Sequence, residues 1–410
     1  MTAPKRPLLA KTEPLTSNLN PYTNRENFQA QATSTCASSQ PKPVHATPLN
    51  QGLGDIINQT AFKNNTQSES KTSLKNPAID CIAIPTTESE QADLSLLFAC
   101  WYLLHQGEQI AKKLIITLPG RENSKIADEI CALLCVYKIK KMFAQADIYF
   151  LEIPECEDIY IRDPKGWNGK VPRLGLKSGP NIQFFETLRL ARDSKYTFLN
   201  ETDVLPLQCC WLTELADSLK EDHDWVLGAK YSGKSKLAPD IEDHINGAAV
   251  YNSGSKEFQD FCLQHWEPGL EQMCKDLPDT AYDIWVSRIK HSSSICSHHW
   301  QNMSHESQQS FTEAASRFAI TDTIANLSLP TDIIPIKTLK KEGTSLVHGR
   351  HYATQSLANA IDHAFVKGGV ELSQLQMSVL LSKTLRNRIH YAGTRLVLRG
   401  TQSSMHERHE

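Results

Sequence analysis

The sequence predicts an α/β protein built on a mostly parallel sheet with helices on both faces. Apolar runs of strand length alternate with longer segments at helical spacing between residues 78 and 153. Short turns punctuated by Pro and Gly separate them. The apolar runs are continuous rather than alternating, as in strands covered on both sides.

Ile79-Asp-Cys-Ile-Ala-Ile84, closed by Pro85, reads as the first strand. Residues 89–106 carry helix formers with a wide apolar face. Within them, Leu94 to Leu104 falls short of the ~20 apolar residues a membrane span needs and reads as a core helix. Lys113 to Leu118 is a second strand, stopped by Pro119-Gly120. Residues 122–143 read as one long helix, with Ile126, Ile130, Leu133 and Leu134 at helical spacing, and 147–153 as the third strand. A loop rich in Gly, Pro and Lys leads to a helix over 180–193, with Pro180 near its first turn. Tyr196 to Leu199 is the fourth strand and runs into Asn200-Glu201-Thr202-Asp203. Beyond it, helices are expected at 211–219, 256–266 and 280–288, and strands at 225–229, 245–251, 331–337 and 345–347. Residues 291–320 read as irregular, and no internal repeat is visible.

The α/β pattern occupies residues 77–352. Residues 1–76 are rich in Ser, Thr, Asn, Gln and Pro, cannot bury enough apolar surface to offset ordering entropy, and are expected to be disordered. Residues 353–410 read as a helical, basic tail. From Lys367 to Arg399 it holds Lys367, Lys383, Arg386, Arg388, Arg395 and Arg399 against the single acid Glu371. Such a tail packs on the domain, stays solvated, or docks on an anionic membrane surface.

A net charge of −3 gives no global basic field, so nucleic acid is not an expected partner. The 11 cysteines include no C-x-x-C pair, which reads as reduced thiols rather than a zinc site. The N-terminus lacks the apolar run of a signal peptide, and a soluble cytoplasmic protein is expected.

Three segments carry candidate chemistry. Glu201 and Asp203, alternating at the end of a buried strand, would emerge on one side. The carboxyl end of an open α/β sheet is where ligands bind, and two carboxylates there repel unless a cation or donors offset them. Asp203 also suits a helix start. Leu346-Val-His-Gly-Arg350 ends a late strand in a histidine that either ligates a metal or packs structurally. Asp243-His244-Ile-Asn246-Gly247 introduces an apolar strand through an Asn-Gly step, where backbone approaches a ligand or simply turns. In addition, Lys177-Ser-Gly-Pro-Asn181 opens a helix with N–H groups and a cation, either an anion cradle or plain capping.

The order of Phe198-Leu-Asn-Glu-Thr-Asp-Val204, His244-Ile-Asn-Gly247 and His348-Gly349 resembles the GT-A glycosyltransferases, over roughly residues 78–350. The resemblance implies transfer of a sugar from a nucleotide-diphosphate sugar to a saccharide or lipid-linked acceptor, with Mn2+ or Mg2+ on the diphosphate. It implies Asp203 and His348 as metal ligands and Glu201 near the ribose. Donor contacts would come from Pro85, Thr86, Lys177, Asn181, Asn246 and Gly247, and, if the enzyme inverts the anomeric carbon, a base from Asp243 or Asp283. The first acid is Glu where the commonest motif has Asp, which leaves a metal-independent transferase open. A nucleotidyltransferase would be expected to follow its first strand with a Gly-rich basic loop, where this chain has Pro85-Thr-Thr-Glu88. A non-catalytic nucleotide-binding or membrane-docking relative is the remaining alternative.

Overall fold

A computed structural model of the chain describes residues 78–161, 168–291, 301 and 303–366. The expectations for residues 1–76 and for the basic stretch from Lys367 onward lie outside them. In chain order the strands are β1 (Ile79–Pro85), β2 (Ala111–Leu118), β3 (Phe143–Phe150), β4 (Tyr196–Leu199), β5 (Val204–Pro206), β6 (Val226–Gly228), β7 (Ala249–Tyr251), β8 (Phe318–Ile320), β9 (Ile324–Asn326) and β10 (Leu346–His348). The helices are α1 (Gln91–His105), α2 (Ser124–Val136), α3 (Ile139–Met142), α4 (Ser178–Leu190), α5 (Trp211–Asp217), α6 (Pro239–Glu242), α7 (Lys256–Phe261), α8 (Glu267–Asp276), α9 (Tyr282–Lys290), α10 (His305–Ser316), α11 (Ile336–Lys341) and α12 (Ala353–Val366).

Seven strands form one sheet in the order β3-β2-β1-β4-β7-β6-β8. Within it only β7 runs against its neighbours. The chain builds outward from β1 to β3, then returns to β1's other side with β4. The carboxyl ends of β1 and β4 therefore flank a reversal of strand order, where helices depart to opposite faces and leave a crevice. A second sheet, β5-β10-β9, stands beyond the end of β4.

Each face of the large sheet has its own core. The pleat of β1 sends Ile82 and Ile84 into a cluster with α1 and α2, and Cys81 and Ala83 to the opposite side. Helix α1 is buried from Asp93 to His105 on all sides. The reason is that α12 covers its outer face, with Leu357, Ala360, Ile361 and Ala364 in the same cluster. The first part of the basic tail is thus core. The second cluster gathers Phe184, Phe185, Tyr251, Trp266 and Trp285. Truncating any one of these aromatics to Ala would cost about 3–5 kcal/mol.

Several local expectations are corrected. The single helix over 122–143 ends at Val136, because Lys138 turns left-handed (φ +52) and Phe143 must start β3 opposite Ala111. Glu267-Pro268 does not stop the helix begun at Lys256. A π-turn over Cys262–Trp266 absorbs the missing proline N–H, and α8 continues to Asp276. Within 291–320, α10 and β8 are regular. The strand expected at 331–337 is absent: Ile334 N–H donates to Tyr352 Oη, and α11 begins after Pro335. Among the described residues no helix is long and apolar enough to cross a membrane, and no disulfide links their cysteines.

Candidate metal and nucleotide site

The two acids reach one side by a turn, not by the pleat. Strand β4 stops at Leu199, and Asn200 N–H donates to Ala83 O at 2.8 Å, tying the chain to the end of β1. The wholly buried Asn200 amide donates to the carbonyls of Glu201 (2.8 Å) and Val204 (3.2 Å). Val204 N–H closes the turn on Glu201 O at 3.0 Å. The alternation expected of a continuing strand is therefore replaced by a tight turn with Thr202 and Asp203 at its centre. Nor is Asp203 a helix cap, since β5 follows it.

Histidine 348 arrives through the second sheet. Antiparallel pairing of β10 with β5 sets His348 opposite Val204, the residue after Asp203. Gly349 N–H then donates to Asp203 O at 3.1 Å. Gly349 has φ +149, and a Cβ there would stand 2.6 Å from Leu327 O, so a glycine is required after the histidine. Nε2 of His348 lies 3.4 Å from Asp203 Oδ1 and 3.5 Å from Glu201 Oε2. One ligand atom from each of the three residues falls within 4.8 Å of the others.

The histidine is aimed from behind. Parallel pairing of β10 with β9 sets Asn326 opposite His348. Asn326 Oδ1, an acceptor, lies 3.1 Å from His348 Nδ1, so that nitrogen donates and Nε2 is turned to the carboxylates. Asn326 is 1% exposed.

Electrostatically the three residues share too little positive charge. Burial pushes the Glu201 carboxyl up to about 7, helped by Asp203, Asp283 and Glu90 and opposed by His348. Burial would lower the His348 imidazole, but its bond to Asp203 and the charges of Asp203, Glu201 and Asp283 outweigh this and raise it to about 9. Burial likewise opposes ionisation of Asp203, yet His348 and then Arg350 hold its carboxyl below the usual range. Arg350 also lies 3.1 Å from Asp93 Oδ2 and 3.7 Å from Glu90 Oε1, at the start of α1. A proton on His348 offsets two acids here. Two carboxylates and one imidazole at this spacing also suit an oxygen-preferring divalent ion, with coordination positions left for diphosphate oxygens.

The other candidate residues divide. Gly247 is brought to the cluster: a Cβ on it would lie 1.9 Å from Tyr282 Oη and 3.1 Å from Glu201 Oε1. Asn246 shapes that approach, its Oδ1 accepting from Ala248 N–H at 2.9 Å. Asp283, on α9, faces His244 Nε2 at 3.6 Å and adds its charge to Glu201 and His348. Asp243 is turned to other work, accepting from Lys230 (2.6 Å) and His291 (2.7 Å), and Lys230 above all holds its carboxyl below the usual range.

Pro85 ends β1 at the crevice, but Thr86 is buried, its N–H and C=O engaged by Thr117 O and Gln183 Nε2. Asn181 is wholly buried, and its amide bridges Leu174 O, Thr280 O and Tyr282 N–H, so it faces no ligand. The helix start beside Lys177 is closed by the 157–159 segment: Ser178 Oγ donates to Glu157 at 2.8 Å and Gly179 N–H to Ile159 O at 3.1 Å. An anion would meet carboxylates there, which corrects the reading of Lys177 to Asn181 as a cradle.

Sequence reasoning missed Asn326, Arg350, Glu90 and Tyr282. Arg350 lies two residues after His348, within the segment already singled out for its histidine. Asn326 gave no local signal, because its partner is 22 residues away across a ladder. Surface hollows of about 350 and 660 Å3 lie elsewhere, the larger at the amino edge of the sheet beside Asp80, Lys195 and Arg317.

No protein-family model matches the chain, and no curated protein matches it in sequence. Among solved structures it is similar to the galactosyltransferase LgtC in complex with donor and acceptor sugar analogs, at 11% identity and a TM-score of 0.36 over 73% of this chain and 100% of that one. It is also similar to apo mouse xyloside xylosyltransferase 1, at 12% identity and 0.35 over 66% and 97%. A third is TarS residues 1–349 of S. aureus in complex with UDP, at 11% identity and 0.33 over 75% and 71%.

Proposed function

We propose that the chain is a glycosyltransferase that takes its sugar from a nucleotide-diphosphate donor held at the carboxyl ends of β1 and β4. One observation carries the reading: Glu201 and Asp203, from the turn after β4, and His348, from the end of β10, converge at the reversal of strand order with the imidazole aimed by Asn326. Asp203 and His348, with Glu201 beside them, would hold Mn2+ or Mg2+. That ion would offset negative charge on the departing diphosphate.

The residues of the chain do the rest. Gly247 keeps the floor open next to Glu201. An acceptor hydroxyl oxygen bonds to the anomeric carbon as the bond from that carbon to diphosphate oxygen breaks. The electron pair leaves with the nucleoside diphosphate, and the hydroxyl proton passes to a carboxylate. Asp283 fits this last task better than Asp243, whose lone pairs are already taken by Lys230 and His291. The acceptor is a saccharide, free or lipid-linked. The working unit spans 77–352, closed by α12.

A thermal-shift panel of nucleoside diphosphates and their sugars, with and without Mn2+, tests the reading. Ligand that binds only the native chain adds about 2.7 kcal/mol of stability at 100 times Kd and so raises its melting temperature. The expected result is a Mn2+-dependent rise with at least one nucleotide, abolished in Asp203→Ala. A panel with no rise under any condition would overturn it.

A further inference from the structure

Helix α9 with its C-cap His291 and the segment Pro239–His244 face one another through three acid–base pairs. Arg288 Nε meets Asp240 Oδ2 at 3.2 Å, His291 Nε2 meets Asp243 Oδ2 at 2.7 Å, and His244 Nε2 faces Asp283 Oδ2 at 3.6 Å. The first two are made contacts. The third is beyond hydrogen-bonding range, although both side chains are nearly covered, at 11% and 15% exposed.

His244 cannot turn to close the gap. Its Nδ1 donates to the carbonyl of Ile241, so Nε2 is the acceptor nitrogen of the ring and faces the Asp283 carboxylate across the gap. Among the described residues His244 is the only ion-pair partner of Asp283. The ring of Tyr282, next to Asp283, is stacked on Phe184 at 3.8 Å, which holds the first turn of α9 against the core. A carboxylate thus stands at the edge of the acid cluster, flanked by an imidazole whose direction is set by the backbone and left a few tenths of an ångström short of contact. Two acceptors so placed are joined by a bridging water, which donates one hydrogen to Nε2 and the other to the carboxylate.

We propose that His244 is the positioning residue for Asp283, fixing the carboxylate that receives the acceptor's proton. The inference rests on the glycosyltransferase reading of the site and adds a role to a residue outside the metal-holding set. His244 acts through Asp283: it selects the oxygen that faces the acceptor hydroxyl and leaves donor binding alone. The Arg288–Asp240 and His291–Asp243 pairs keep the two segments in step.

Water serves as the acceptor in the test. Water oxygen bonds to the anomeric carbon, the carbon–oxygen bond to the diphosphate breaks, the nucleoside diphosphate leaves with the electron pair, and the proton goes to Asp283. UDP-glucose, UDP-galactose and UDP-N-acetylglucosamine are supplied with Mn2+, and nucleoside diphosphate release is followed against pH. The expected result for His244→Ala is a kcat lower by roughly 10- to 100-fold, with donor KM and the nucleotide-induced melting shift kept. His244→Gln, whose amide oxygen reaches about as far as Nε2 and likewise accepts, should recover most of the loss. Asp283→Asn should lose activity as fully alone as with His244→Ala, because the histidine works only through that carboxylate.

Unchanged kcat in His244→Ala, losses that multiply in the double variant, or a glutamine variant no better than alanine would each overturn the inference while leaving the glycosyltransferase reading in place. A wild-type chain that binds and hydrolyses none of these donors, and shows no melting shift with any nucleoside diphosphate, would remove the reading and the inference together.

Discussion

Two acid pairs in this molecule are each held by a single base, and they are built differently. Asp240 and Asp279 share Arg288, whose side chain is 5% exposed and donates from Nε to one acid and from Nη1 to the other and to Thr280 Oγ1. Glu201 and Asp203 share His348, at longer range and with one nitrogen only. A guanidinium keeps its charge at every pH a folded protein meets, and its planar fork saturates two carboxylates. An imidazole gives up its proton and then becomes a metal ligand. The first arrangement finishes its electrostatics within the chain. The second leaves its acids to be offset by a proton or an added cation, and it stands at the carboxyl ends of the central strands β1 and β4, where open α/β sheets bind ligands. Buried acids are therefore not in themselves the mark of a site; the kind of partner they are given is.

The largest effect expected from breaking this comparison is on the arginine side. Arg288→Met leaves Asp240 buried without its partner and should cost about 3–5 kcal/mol of unfolding free energy, read as a drop in the urea midpoint. His348→Asn in metal-free buffer should cost far less, because its acids are partly exposed and one of them can take up a proton. Equal losses would mean that the second cluster is as structural as the first.

Next in size is the aim of the histidine. Asn326→Ala removes the acceptor at Nδ1, and affinity for Mn2+ should fall roughly 10- to 100-fold by isothermal titration. The fold should change little, since β9 keeps its ladder with β10. Removing Thr280 Oγ1 from the arginine cluster, in Thr280→Val, should leave Mn2+ affinity untouched. A Mn2+ affinity unmoved by Asn326→Ala would show that the imidazole needs no orienting partner.

How much of this was legible beforehand follows from how local each signal is. The strand Ile79 to Pro85 and the all-round apolar α1 could be read directly, because burial on both faces writes itself into a continuous stretch of chain. Glu201 and Asp203 could be flagged as a pair, but the pleat argument reached the right side by the wrong route. The turn is made by the Asn200 amide, whose role depends on being buried under β5. Proline 268 hid α8, since a π-turn that accommodates it has no sequence mark. Asn326 and the Arg288 cluster were invisible, because their partners come together only when β9, β10, α6 and α9 are assembled. Asn181 and Lys177 misled in the opposite sense: a glycine-bearing helix start looks the same whether backbone and acids or a ligand will cover it.

The smallest effect is the most diagnostic of the difference between the two clusters, and it is one of pH. In chelator-treated protein Glu201 stands raised to about 7 and His348 to about 9, both above their ordinary 4.5 and 6.5. A group raised on folding lends stability that is full below its unfolded pKa and is lost as pH climbs through the folded one. Glu201 therefore loses its contribution between about pH 4.5 and 7 and His348 between about pH 6.5 and 9, so the metal-free chain loses stability from about pH 4.5 to 9. Asp203, held below 3.8, has the opposite sign and matters only under acid conditions. The melting temperature in EDTA should accordingly slope downward over that window, less steeply in His348→Asn, while Arg288→Met lowers the whole curve without changing its slope. Saturating Mn2+ should flatten the wild-type slope, since a divalent ion needs no proton to offset the acids. A metal-free curve that is flat from about pH 4.5 to 9 would mean that no shared proton bridges Glu201, Asp203 and His348, and the contrast with the arginine-held pair would lose its chemical basis.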